Sequence, residues 1–192
     1  MKDIIWEPYG DYIENSNITR FMKKYGLKDY RELINRSVSD IEWFWDAALN
    51  DLGIEWYQPY DKILDISGGF PWAKWFIGGR INIVHNCIDR HLKSFRSKKA
   101  ALIWEGADGE TRKLTYEQMS IHVSKVANAL KGLGLRKGDR VGIYMPMVPE
   151  IVVSIFACFK IGAVAIPIFS GFGHGAVSTR LNDAGAKLLF TA

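Results

Sequence analysis

The 192 residues predict an α/β fold: a mostly parallel sheet of βαβ units covered by helices, preceded by an aromatic-rich helical and irregular N-terminal extension. Three observations carry this expectation. From Thr115 onward, short apolar strands recur about every two dozen residues with one amphipathic helix between each pair, the rhythm of parallel strands joined by crossovers. Six of the seven tryptophans lie before residue 76, so the first third is built on other principles than the rest. Hydrophobic residues make up 48% and charged residues 24%, the balance of a chain that buries a core.

Within residues 1–80, Ser39 and Glu42 read as a capping box, and Ile41, Phe44, Trp45, Ala48, Leu49 and Leu52 repeat at helical spacing until Gly53. From Trp56 to Gly79 no period holds. Pro59, Gly68, Gly69, Pro71, Gly78 and Gly79 punctuate Trp72, Trp75 and Phe76, as in an irregular segment clamped by its rings onto a larger body. A helix follows from an Asn82 cap, with Val84, Cys87, Ile88, His91, Leu92 and Phe95 on one face. Ala100–Trp104 reads as a strand returning through an Asp108-Gly109 turn to Arg112–Leu114.

The regular part opens with a capping box at Thr115 and Gln118, above an apolar stripe of Met119, Val123, Val126, Ala127, Leu130 and Leu133. Val141–Met145 is a strand. Pro149 starts the next helix and Gly162 ends it. Ala163–Phe169 is a strand, Gly175–Ala184 a short helix and Lys187–Ala192 a third strand. A strand without its following helix leaves an apolar face uncovered, so the end at Ala192 reads as a cut within a larger domain.

Charge and apolar runs narrow the classes. The net charge of +4 comes from 25 basic and 21 acidic residues spread along the chain. A nucleic-acid partner would need them gathered, and the nearest run is Arg96, Lys98 and Lys99 after a helix, so none is expected. No apolar stretch approaches the ~20 residues of a membrane span, and the start from Met1 to Glu7 lacks a signal-peptide core. Cys87 and Cys158 read as small buried hydrophobes without a disulfide framework, which points to a reducing cytoplasm.

The strongest chemical candidate is Phe169-Ser170-Gly171-Phe172-Gly173-His174-Gly175. It lies after a parallel strand and before a helix, where α/β sheets bind ligands, and its glycines allow close backbone approach. It does not fit G-x-G-x-x-G and no G-K-[ST] follows, so neither a dinucleotide fingerprint nor a P-loop is present. A plain strand-to-helix turn accounts for the same glycines. His85, Cys87, Asp89 and His91 lack metal-site spacing: on a helix His85 with Asp89 and Cys87 with His91 occupy different faces. His122 and His174 have no adjacent acid or nucleophile elbow. No metal site is expected.

Several blocks in order carry a resemblance. Pro71–Arg80 followed by Asn86-Cys87-Ile88-Asp89-Arg90-His91, then Ala101–Gly106, Leu114-Thr115-Tyr116, Lys137-Gly138-Asp139-Arg140-Val141, Tyr144-Met145-Pro146-Met147-Val148-Pro149-Glu150 and Ile161-Gly162-Ala163-Val164 cover most of residues 30–192. They resemble the AMP-forming acetyl-CoA synthetases (acetate–CoA ligases) of the adenylate-forming superfamily. The resemblance implies that a carboxylate attacks the α-phosphate of Mg-ATP to give acyl-AMP, after which the thiol of CoA displaces AMP. It implies residues 1–100 as the family's N-terminal extension and 101–192 as the first, truncated part of the AMP-binding domain.

The family's phosphate loop, ATP-binding motifs and catalytic lysine find no counterpart in these residues. The implied catalytic residues are therefore none here, and the piece alone is expected to be inactive. Where the family has Phe-Gly-Gly-Phe lining the channel for the pantetheine arm of CoA, this chain has Phe169, Ser170, Gly171 and Phe172, with Ser170 in place of a glycine. The implied substrates are a short-chain carboxylate, ATP with Mg, and CoA, and the implied partner is the rest of the same polypeptide. A non-catalytic interaction module, with self-association through exposed rings, and a nucleotide-dependent oxidoreductase are the alternative readings of the same pattern.

Overall fold

A computed structural model describes residues 6–192, so the reading of the first five residues at the head of the chain lies outside the described residues. The chain divides into two compact units. One comprises the chain up to Ile54 with Gln58–Gly79; the other comprises Glu55–Tyr57 with Arg80–Ala192.

The first unit holds α1 (Asp11–Glu14), α2 (Asn17–Lys24), α3 (Tyr30–Ser39), α4 (Ile41–Leu52), β1 (Lys62–Asp65) and β2 (Lys74–Ile77). Three of its helices start on a side chain that accepts a backbone N–H: Ser16 from Thr19, Asp29 from Glu32 and Asp40 from Trp43. The cap expected at Ser39 is therefore corrected to Asp40. Ser39 is the last residue of α3, and its hydroxyl turns back to the Arg36 carbonyl. Asp40 leaves helical backbone and lies nearer the free N–H groups of α4.

Phe21, Leu27, Leu33 and Ala47 form the buried cluster of this unit, with Tyr25, Trp43 and Phe44 packed on it. Ile41, Trp45 and Leu52, expected inward, are exposed. The stripe is rotated so that Trp43 instead sits under the Arg36 guanidinium, 3.6 Å from its ring centre. The segment read as irregular contains an antiparallel pair, with Lys62 opposite Ile77 and Leu64 opposite Trp75. A 3-10 turn (Phe70–Trp72) stands between its strands. At Gly78, φ is +80° and an added Cβ would meet the Asp61 carboxylate at 2.3 Å, so only glycine fits that corner.

The second unit holds α5 (Ile83–Cys87), β3 (Ala100–Glu105), β4 (Thr111–Thr115), α6 (Tyr116–Gly132), β5 (Arg140–Tyr144), α7 (Pro149–Ile161), β6 (Val164–Pro167), α8 (His174–Ala184) and β7 (Leu188–Thr191). The helix expected from Asn82 to Phe95 is broken. Asn82 does cap α5, but Ile88 departs from helical angles and 3-10 turns follow at Asp89–His91 and Phe95–Lys98. Tertiary partners account for the break. The buried Asn86 exchanges hydrogen bonds with the backbone of Glu55, and Asp89 is drawn to Lys160 at 2.9 and 3.0 Å. Cys87, expected buried, is exposed, the buried positions beside it going to Asn86 and Ile88; Cys158 is buried, and burial pushes its thiol up to about 11.

β3 and β4 form an antiparallel hairpin with Glu105 opposite Thr111. The Thr115–Gln118 capping box is present at the start of α6. β5, β6 and β7 make a parallel sheet in the order β6-β5-β7, with Val141 between Ala165 and Leu188. Side chains alternate along β5. Val141 and Ile143 are fully buried in one cluster with Val123, Ala127 and Leu130 of α6 and Val153, Ala157 and Cys158 of α7. Gly142 and Tyr144 face the other way, where α8 lies close enough that a Cβ on Gly142 would touch Leu181 at 2.4 Å. The two crossover helices thus cover opposite faces, and the connections diverge at the carboxyl ends of β5 and β6.

Candidate functional site

Phe169 to Phe172 lie just past the carboxyl end of β6, at that divergence. The Phe172 N–H donates to the Phe169 carbonyl at 3.0 Å, closing a four-residue turn with Ser170 and Gly171 at its centre. The two phenyl rings meet edge to face at 5.6 Å and 84°, and Phe169 is 69% exposed. Neither central residue has a positive φ. Serine at 170 is therefore accommodated without strain. Gly171 has a steric role: a Cβ there would stand 2.6 Å from the Phe169 ring and force it aside.

Two further side chains hold this turn. The Tyr144 hydroxyl, at the end of β5, lies 2.8 Å from the Phe172 carbonyl and 3.1 Å from the Ser170 carbonyl. The Arg180 guanidinium of α8 covers the Phe172 ring at 4.3 Å and donates to its own helix at the Ala176 carbonyl, 2.9 Å away. Reading the sequence missed both. Tyr144 sits in even register with Gly142, opposite the apolar Val141 and Ile143, and that alternation was the available signal. For Arg180 no local signal existed.

On the same face, a cleft of about 480 Å³ is lined by Tyr144, His174, Val177, Leu181, Leu189 and Thr191, among others. Its lining is mostly apolar, with the Tyr144 and Thr191 hydroxyls and the His174 imidazole among its polar groups. A second cleft, of about 460 Å³, contains Arg112, His122, Lys125 and Glu150. Its charges have a structural task. Arg112 grips the Glu150 carboxylate at 2.9 Å and stacks over Trp104 at 4.6 Å, while the Trp104 indole N–H donates to the Met147 carbonyl at 2.6 Å. These contacts tie the β3–β4 hairpin to the start of α7. The Glu150 carboxyl is held below its ordinary range, first by a backbone N–H in the opening turn and then by Arg112.

The four residues weighed as a metal cluster go separate ways. His85 pairs with Glu55 at 2.6 Å, Cys87 is exposed, Asp89 takes Lys160 and the Ser120 hydroxyl, and His91 packs on the Tyr116 ring at 4.7 Å. Hydrogen bonding to His85 leads the causes that hold the Glu55 carboxyl low, while burial depresses His91. Among the described residues, no group of three or more His, Cys, Asp or Glu is placed to hold a metal ion. Among the same residues, no helix is long and apolar enough to cross a membrane.

Comparisons with known proteins cover nearly all of the chain. The family model "Acetyl-coenzyme A synthetase N-terminus" matches residues 30–87, and the model "AMP-binding enzyme" matches residues 88–192. An acetyl-coenzyme A synthetase of Methanothrix thermoacetophila is 43% identical over 181 residues, 94% of this chain and 27% of that protein. A 3-hydroxypropionyl-coenzyme A synthetase of Sulfurisphaera tokodaii is 42% identical over 168 residues, 88% of this chain and 25% of that protein. The solved acetoacetyl-CoA synthetase of Streptomyces lividans superposes with a TM-score of 0.89 at 27% identity, over 97% of this chain and 29% of that one. The chain thus spans about a quarter of the length of the curated relatives it matches.

Proposed function

The chain belongs to the AMP-binding enzyme family, preceded by the N-terminal region of acetyl-CoA synthetases, and from that premise we propose that it forms the first part of an AMP-forming acyl-CoA synthetase. The complete enzyme converts a short-chain carboxylate and Mg-ATP into acyl-AMP and pyrophosphate. It then passes the acyl group to the thiol of CoA with release of AMP. A carboxylate is a poor acyl donor because its anionic oxygen does not leave; esterifying it to AMP supplies a stabilised leaving group. One observation carries this reading: the two family models meet end to end at residues 87 and 88, in synthetase order.

We place the N-terminal extension over residues 1–100 and the opening of the AMP-binding domain over 101–192, thirteen residues past the seam of the two family models. The beginning of β3 at Ala100, ahead of every strand of the parallel sheet, supports that boundary. Phe169, Ser170, Gly171 and Phe172 border the path of the CoA pantetheine arm. The exposed Phe169 ring and the compact glycine beside it suit a slender, largely uncharged chain. Cytoplasmic residence follows for an enzyme that draws on ATP and CoA.

The test is direct. The full-length polypeptide carrying this chain is expected to release pyrophosphate from ATP only when a carboxylate such as acetate or 3-hydroxypropionate is present, and to yield the corresponding thioester when CoA is added. The 192-residue chain alone is expected to do neither. Formation of acyl-AMP by the isolated chain overturns the assignment of catalysis to the rest of the protein. A full-length protein inert toward every short acid tested overturns the substrate class.

A further inference from the structure

We propose that Tyr144 and Arg180 are positioning residues for the CoA arm: they fix the Phe169–Phe172 turn from two sides and so set where its rings stand. The inference rests on the reading of that turn given above. The turn lies at the surface and contains one backbone hydrogen bond of its own, so by itself it would open readily. Its remaining attachments come from two elements that are themselves well held. β5 is the central strand, bonded on both edges, and α8 is fastened by Leu181 over Gly142 and by Arg140, which donates to the Ala184 and Gly185 carbonyls at its end.

The Tyr144 hydroxyl carries one proton and two carbonyls lie within reach, so it stays bonded to either Phe172 or Ser170 as the turn shifts. Arg180 acts on the ring instead of the backbone. Its cation lies over the face of Phe172, whose position in turn sets the edge-to-face contact with Phe169. Arg180 and Phe169 are both exposed, and neither belongs to the buried cluster of this unit. The fold does not need these contacts for its core. What they order is the ring pair.

Tyr144→Phe, Arg180→Met and Arg180→Lys in the full-length polypeptide test this. Two readouts are taken: pyrophosphate release from ATP and the acid without CoA, and thioester formation as CoA is varied. Tyr144→Phe is expected to raise KM for CoA roughly five- to tenfold, the scale of one hydrogen bond. Arg180→Met should raise it about threefold, and Arg180→Lys, which keeps the cation, should recover most of that loss. The first half-reaction and KM for ATP should stay within about twofold of wild type.

An unchanged KM for CoA in both Tyr144→Phe and Arg180→Met overturns the proposal, as does a fall of the first half-reaction in step with the second. Should Tyr144→Phe fail to fold, the Arg180 pair decides alone. A wild-type protein that forms acyl-AMP but no CoA thioester shows, before any variant is made, that the underlying reading has failed and this inference with it.

Discussion

A methyl group placed on Gly142 would lie 2.4 Å from one Leu181 methyl and 3.0 Å from a Leu189 methyl, in the layer between β5 and α8. Both obstacles are tips of flexible side chains, so alanine is tolerated at a cost and the branched Gly142→Val is not. Gly142→Val is expected to destabilise by about 1–3 kcal/mol through overpacking. Gly132, the last residue of α6, has open space around it, and Gly132→Ala should instead stabilise by about 0.5–1 kcal/mol through helix propensity. Urea midpoints at constant slope separate the two; equal effects would mean that α8 does not seat on β5 as described. The sequence distinguishes neither glycine from the other, because what differs is the distance to residues some forty positions away. The same limit explains Cys87 and Asn86. Their helical phase argued for the thiol inside, and the buried position went to the amide that bonds Glu55. At Phe169–Phe172 the turn itself was legible from its glycines and its place after a strand. Its supports at Tyr144 and Arg180 were not.

Among elements, legibility followed how locally each one is determined. The helices α6 and α7 were readable because the Thr115–Gln118 box, Pro149 and Gly162 are signals complete within a few residues. The helix expected over 82–95 failed because Asn86 and Asp89 make their decisive bonds far along the chain. At α4 two adjacent residues could each have capped, and the side chain nearer the free N–H groups won. That choice is measurable. Asp40→Ala should cost about 1 kcal/mol, the usual value of an N-cap, while Ser39→Ala should change stability by less than about 0.5 kcal/mol. Equal losses from both would restore the Ser39–Glu42 box and contradict the bond from the Trp43 N–H to Asp40.

At the scale of the molecule, composition and periodicity reached the fold class, and ordered blocks of resemblance reached the family. Neither could give the strand order, which depends on which edge of β5 each later strand takes. That order, β6-β5-β7, has a consequence during synthesis. The strand at the centre of the sheet is the first of the three to leave the ribosome, and both of its partners are still unmade. From Tyr144 to Thr191 the ribosome must add 47 more residues, about 2 to 10 seconds of translation. Until β6 is made β5 has two bare edges, and until β7 is made it has one, with only α6, and later α7, to cover its two apolar side chains. Nascent chains stalled just after β6 has emerged should accordingly be cut by protease within residues 140–144, and those stalled well beyond β7 should resist. Equal resistance at both points would mean that helix packing alone shelters the strand. If the cutting is seen, a slow stretch of codons before β7 becomes a hazard to the folding yield of this protein, and holdase chaperones become its natural companions.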